Sequence, residues 1–405
     1  MSELLNSSEE RVEALYMMFA GFIEKKDGRE LWDAYKHKLD ALTPADVLIM
    51  GDRLVKSGYT PTQIIEVVEK IFNVIVPILK EFDWDEPKPG SALYYLIEEN
   101  NALTNHMNEM KDTIRALSTL DEGEAEYMKE LDDLKAACKI LSDFQPHYVK
   151  VENVLFPYLE KTWDFANPMQ VLWAVNDEIR ATLKELNGML ADCDKIEIEH
   201  HQVIGHLFMV MMRMAYKENL VLFPAASQTL NESDSQKMLP EMAEIGFCMI
   251  TPPKIEAPAP VAEEISGDTI KMGGTGEMTV NQLVMMLNHL PVDITYVDDN
   301  DEVCYFNDPK DRFFTRSPAI IGRKVQNCHP PDSIDTVNQI VTAFKDGSKD
   351  SASFWLNMGG KMIMINYYAV RDKTGTYKGT IEVSQDITEI QKLEGERRIL
   401  DWQNR

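Results

Sequence analysis

The chain has 405 residues, too many for one ordinary hydrophobic core, so two to four domains are expected. Apolar residues make up 44% and charged residues 27%, a globular balance that excludes a disordered or fibrous chain. The 41 Lys and Arg against 67 Asp and Glu leave a net charge of -26, which repels phosphate backbones and anionic lipid and argues against nucleic acid or membrane as a partner.

The opening MSELLNSSEE is acidic and polar, unlike a signal peptide. No apolar run reaches the roughly 18 to 20 residues that a bilayer crossing requires. The five cysteines (Cys138, Cys193, Cys248, Cys304, Cys328) are scattered, without a CxxC pair, which points to a reducing compartment. A cytoplasmic protein is expected.

Residues 1–86 read as a helical domain. Thr43-Pro44 and Thr60-Pro61 each set a capping hydroxyl before a proline at the first helical position. Gln63 completes a capping box with Thr60. Ile64, Val67, Val68, Ile71, Val74, Ile75 and Ile78 keep the spacing of a buried helical stripe. Pro87 and Pro89 then end the pattern. No catalytic constellation stands out in this stretch.

Residues 87–250 are again helical and echo themselves. His147 to Pro157 resembles Met214 to Pro224, both closing on Leu-Phe-Pro, and Glu99 to Leu103 falls in phase with Val175 to Ile179, which sets Asn100 against Asn176. Two helix pairs, repeated once, predict an antiparallel four-helix bundle. On these residues the segment resembles a hemerythrin-like, His-His-Glu cation-binding domain. The resemblance implies a two-iron centre fed by one His from the first helix of each half and by His-x-x-x-Glu from the second. Here the six positions read Asn100, His147, Val151, Asn176, Met214 and Glu218, and only His147 and Glu218 suit a hard or borderline cation. An intact two-iron site is therefore not expected. Two readings stand. A single iron or other metal is held by His147 and Glu218, helped by His206, which precedes Met214 and Glu218 by successive i+4 steps, and by Glu152 beside the vacated Val151. Alternatively, His147 and Glu218 satisfy each other by a hydrogen bond. Met209, Met211, Met212 and Met214 read as core packing, since a pliable thioether fills irregular gaps. His200 and His201 are adjacent and cannot share one helical face.

Residues 251–277, rich in Pro, Gly and small residues, read as a linker. The period then changes. A short helix over 279–290 precedes strands at 294–297 and 303–306, joined by an Asp/Asn turn. A helix over 336–344 and strands at 353–358, 361–371 and 377–384 follow, predicting an α+β sheet with helices on one side. Leu290-Pro291, Tyr305-Phe306-Asn307, Ile321-Gly322-Arg323-Lys324 and the closing Asp386-Ile-Thr-Glu389 make residues 278–390 resemble a PAS domain. That resemblance implies a pocket between sheet and helices for heme, flavin, a small acid or nothing. Cys328 and His329 lie side by side before two prolines and are the candidate ligands for heme, with Cys328 alternatively a redox-sensitive thiol. The competing reading is that His329-Pro330 only shapes the turn.

Ile390, Leu393, Arg397 and Leu400 predict a C-terminal signalling helix over 391–405 with a short coiled-coil seam. Taken together the chain resembles an uncharacterised family of anaerobic bacteria and archaea in which a helical domain of unknown function precedes a hemerythrin-like bundle and a PAS module. The fold class expected is therefore multidomain: two all-α units, then α+β. The function expected is sensing: a small ligand, heme, metal or redox signal passed to an unidentified signalling partner, through a homodimer held by the PAS domain and terminal helix. Alternatives are an iron protein handling oxygen or nitric oxide and a ligand-free adaptor. No Ser/His/Asp set, Walker loop or dinucleotide fingerprint points to an enzyme.

Overall fold

A computed structural model describes residues 2–251 apart from 123 and 164, residues 269–271, and residues 276–395 apart from 311. The chain divides into two compact units, one built from residues 1–259 and the other from most of the remainder.

The first unit opens with α1 (Ser2–Ile23), α2 (Gly28–Tyr35), α3 (Pro44–Lys56) and α4 (Pro61–Leu79). The capping signals act as their sequence dictates. Thr60 Oγ1 accepts from the Gln63 N–H while Gln63 Oε1 accepts from the Thr60 N–H at 2.9 Å. Asp46 closes a second box on Thr43 and also receives Arg11 Nε and Ser8 Oγ, each at 2.7 Å, so one buried carboxylate caps α3 and ties it to α1. The α4 stripe buries Ile64, Val67, Ile71 and Ile75 against Leu15, Phe19, Leu48 and Leu54; Val74 stays 39% exposed.

The bundle follows as α5 (Ala92–Leu117), α6 (Ala125–Ser142), α7 (Gln145–Lys150), α8 (Phe156–Glu160), α9 (Asn167–Leu190), α10 (Ile198–Lys217), α11 (Phe223–Ser227) and α12 (Glu232–Ile245). Leu103, Met107, Leu131, Leu134, Ile179, Leu183, Leu207, Met211 and Met214 form its apolar core, whereas Met209 is 41% exposed. The boundary near residue 86 divides the chain and not the core. Val221 and Ala225 of the bundle are buried in the same apolar cluster as α1, α3 and α4, and Asn167 Nδ2 donates to Asp52 Oδ1 at 2.7 Å. Among the described residues no helix is long and apolar enough to cross a membrane.

The second unit begins with a two-stranded antiparallel ribbon, β1 (Thr269–Lys271) on β2 (Glu277–Thr279), within the stretch expected to be linker. The rest of that stretch, 252–268 and 272–275, lies outside the described residues. After α13 (Val280–Asn288) come β3 (Asp293–Asp298), β4 (Val303–Phe306), α14 (Pro331–Lys345), β5 (Ser351–Met358), β6 (Lys361–Arg371) and β7 (Tyr377–Asp386). The five long strands form one antiparallel sheet in the order β4-β3-β7-β6-β5. Gly379 has φ of 146° and lies so close to β3 that a Cβ would meet the Val297 carbonyl, so only glycine fits there.

Two motif residues show why they are needed. Buried Asn307 accepts from the Ile294 N–H at 2.7 Å and donates to the Leu287 and Val292 carbonyls, pinning α13 to β3. Thr388 accepts from the Met362 N–H at 2.9 Å and gives its own N–H to Asp386, which closes β7. Of the helix expected over 391–405 only residues 391–395 are described: Ile390–Lys392 is a single 3-10 turn, and Leu393 is extended and 76% exposed. Arg397 and Leu400 lie outside the described residues.

Candidate functional site

The site grows from the Leu-Phe-Pro echo. A proline has no N–H and its ring crowds the carbonyl four residues back, so Pro157 and Pro224 cannot continue an ordinary helical ladder. Each copy responds with a π turn, Val151–Leu155 after α7 and Glu218–Leu222 after α10. The Phe156 N–H reaches back to Val151 O and the Phe223 N–H to Glu218 O, five residues rather than four. The extra residue re-aims the helix face at the centre of the bundle.

There a closed set of charges meets. His147 Nδ1 donates to Glu99 Oε2 at 2.7 Å and Nε2 to Glu218 Oε2 at 3.0 Å. Lys150 Nζ donates to Glu99 Oε1 at 2.9 Å and to the Gly246 carbonyl at 2.5 Å. The Cys248 N–H donates to the same Glu99 oxygen at 2.7 Å, and Asn100 Nδ2 to Glu218 Oε2 at 2.8 Å. Glu99, His147, Lys150 and Glu218 are all fully buried. Burial alone would push the imidazole pKa down. Glu218 and Glu99, one on each ring nitrogen, outweigh it and hold His147 at about 9, so it is an imidazolium at neutral pH. Burial likewise favours a neutral Glu99, yet His147 and Lys150 pull its carboxyl below the ordinary range. Two carboxylates thus face an imidazolium and an ammonium, and the cluster is neutral as a whole. Phe144 stacks on the His147 ring with centroids 4.7 Å apart. Burial pushes the Cys248 thiol up to about 12, so it stays protonated.

A second network lies beside the first. Glu152 accepts from Asn176 Nδ2 at 2.8 Å, and Arg180 Nη2 reaches both of its oxygens, at 2.8 and 2.7 Å. Burial pushes the Glu152 carboxyl up against the pull of Arg180. Around these two networks five buried atoms find no hydrogen-bond partner among the described residues: Asn100 Oδ1, Gln145 Nε2, Asn176 Oδ1, Glu218 Oε1 and the Tyr148 hydroxyl.

Of the four residues proposed as metal ligands, His147 and Glu218 meet, Glu152 belongs to the neighbouring network, and His206 leaves the site. The His206 side chain is 43% exposed and pairs with Glu178 at 3.0 Å. The reason is rotational. Each i+4 step overshoots a full turn by roughly 40°, so the three steps from His206 to Glu218 carry it about 120° off the inward face. Val151 and Met214, at two vacated ligand positions, are buried in the apolar core. Glu99, Lys150 and Cys248 were missed. Lys150 had a signal, since it sits three residues after His147 on the same face. Glu99, one position from Asn100, and Cys248, beyond α12, had none.

In the second unit a small cavity of about 30 Å³ lies between α14 and the sheet, bounded by Val297, Val325, His329, Val341, Tyr367 and Glu382. Burial pushes the His329 imidazole pKa down and keeps it neutral, with Nδ1 on the Val325 carbonyl at 2.8 Å. Cys328 turns away, packing on the Val297, Val303 and Ile320 cluster with its thiol 3.6 Å from the Lys324 carbonyl. The two adjacent candidates therefore do not converge, because successive side chains point apart. The space beside His329 suits a water-sized molecule, and a porphyrin does not fit it.

Residues 91–226 match the family model described as the hemerythrin HHE cation binding domain, and residues 283–388 that described as the PAS domain. The chain joins a hemerythrin domain to a PAS domain. It is similar to the crystal structure of a C-terminal domain from Streptococcus mutans, at 34% identity over 32% of this chain and 98% of that one, with a TM-score of 0.30. It is also similar to the PAS domain of a Colwellia psychrerythraea protein (14% identity, 27% of this chain, 97% of that one, TM-score 0.22) and to a sensory box sensor histidine kinase from Vibrio cholerae (14%, 27%, 90%, 0.21). A search of curated proteins finds no match.

The hemerythrin fold implies iron, and the donor set here does not suit it. Both His147 nitrogens carry protons engaged by carboxylates, and Glu99 has both oxygens occupied by donors. What remains at the centre is one Glu218 oxygen and the two neutral amide oxygens of Asn100 and Asn176. Among the described residues no three His, Cys, Asp or Glu side chains converge as metal ligands.

Proposed function

We propose that this hemerythrin–PAS protein is a non-catalytic sensor, in which the PAS domain receives a small cue and the hemerythrin bundle is a rigid scaffold that passes it to a protein partner. The observation that carries this reading is the Glu99–His147–Lys150–Glu218 cluster. Its carboxylates are already paired with protein cations, which supports a fixed internal geometry in place of oxygen chemistry. The PAS cavity supports the input role, since neutral His329 and Glu382 line an otherwise largely apolar space. Five free cysteines agree with work in a reducing interior.

Anaerobic purification followed by metal analysis and an absorption spectrum tests the reading. Iron far below one atom per chain, with ligands that shift melting without being turned over, is the expected result. Two irons per chain would overturn it.

A further inference from the structure

A second pocket lies in the first unit, lined by apolar side chains. Leu48 and Gly51 of α3, Val68 of α4, Val171 and Val175 of α9 and Leu222 of the second π turn bound a cavity of about 90 Å³. Its wall is almost wholly hydrocarbon, and Lys217, the one charged neighbour, offers it only the aliphatic stem. The wall offers water no hydrogen-bond partner, which favours an apolar guest.

Gly51 makes the space more than a packing accident. It sits mid-helix, where glycine is less stable than alanine. A Cβ at that position would meet only the Pro168 ring, at 3.8 and 3.9 Å, which is ordinary contact. Neither backbone geometry nor crowding therefore requires a glycine, and its absent side chain keeps the cavity open.

We propose that this cavity binds one small, uncharged, apolar molecule of the size of a dissolved gas. The position gives binding a consequence. Val175 adjoins Asn176, and Leu222 ends the π turn that begins at Glu218, so a guest braces α3 and α4 against the turn that carries the charge cluster. This inference is separate from the sensory reading, since it makes no claim on metal content or on the PAS domain.

Xenon is the probe. The full chain under xenon pressure is expected to show a bound-xenon NMR shift and a rise in melting temperature. Gly51→Leu fills the space and should abolish both while melting no lower than wild type. If Gly51→Leu does not fold, Val68→Ile and Val171→Ile each add one methylene from a different helix, and combined they should weaken the xenon response. Absence of any xenon effect on the wild type overturns the proposal. So does a folded filling variant that responds to xenon as the wild type does, because the guest then sits elsewhere.

Discussion

Replacing Lys150 by Met removes the ammonium and keeps much of the side-chain volume. Lys150 Nζ lies 2.9 Å from Glu99 Oε1 with both side chains fully buried, so the variant leaves two carboxylates facing one imidazolium in an apolar core. Removing one partner of a buried pair typically costs about 3–5 kcal/mol, a large part of the roughly 5–15 kcal/mol that holds a domain folded. Glu99→Gln should be costly for the mirror-image reason, leaving two buried cations to one carboxylate. The double variant keeps a neutral His147–Glu218 pair, so its loss should fall short of the sum of the single losses by about 1–3 kcal/mol. Urea unfolding of the full chain, followed by helical circular dichroism so that the first unit dominates, measures all three. Single losses under about 0.5 kcal/mol, or strict additivity, would refute the reasoning. So would Lys150→Met that takes up iron and melts higher, because the lysine would then have been obstructing a metal site.

The same cluster sets a pH response. The His147 pKa stands at about 9 in the fold against 6.5 for a free imidazole, so its contribution, on the order of 3 kcal/mol, is full below pH 6.5 and is lost as pH rises through 9. Burial lowers Lys217 to about 8 from 10.5, which works the other way between those values. Melting temperature should therefore fall most steeply from pH 6.5 to 8, and His147→Gln should flatten that slope. Asn307→Ala strips the Ile294 N–H and two carbonyls of their partner and should lower PAS stability by about 3 kcal/mol, read as the melting of the second unit. Iodoacetamide in native conditions should label exposed Cys304 first, by mass spectrometry. Cys138 and Cys248, buried thiols pushed up to about 12, should react only after unfolding.

Local order was legible because it depends on neighbours in sequence. Thr43 and Thr60 cap helices whatever lies around them, and the alternation from Lys361 to Arg371 is a strand because β-branched and aromatic residues pack well on a pleated surface. The Leu-Phe-Pro echo predicted two equivalent helix ends, and both carry the same π turn. Of the terminal seam, Ile390 lies in a 3-10 turn and Leu393 is extended, while Arg397 and Leu400 lie outside the described residues.

The sequence by itself determined the two architectures and set His147 and Glu218 on two echoing helices, with their hydrogen bond as one of two readings. Tertiary structure alone decided what balances that pair. Glu99 comes from another helix, the Gly246 carbonyl lies 96 residues beyond Lys150, and the Cys248 N–H lies 149 residues beyond Glu99. Charge compensation in a low-dielectric core acts through distance in space, which spacing along one helix does not encode.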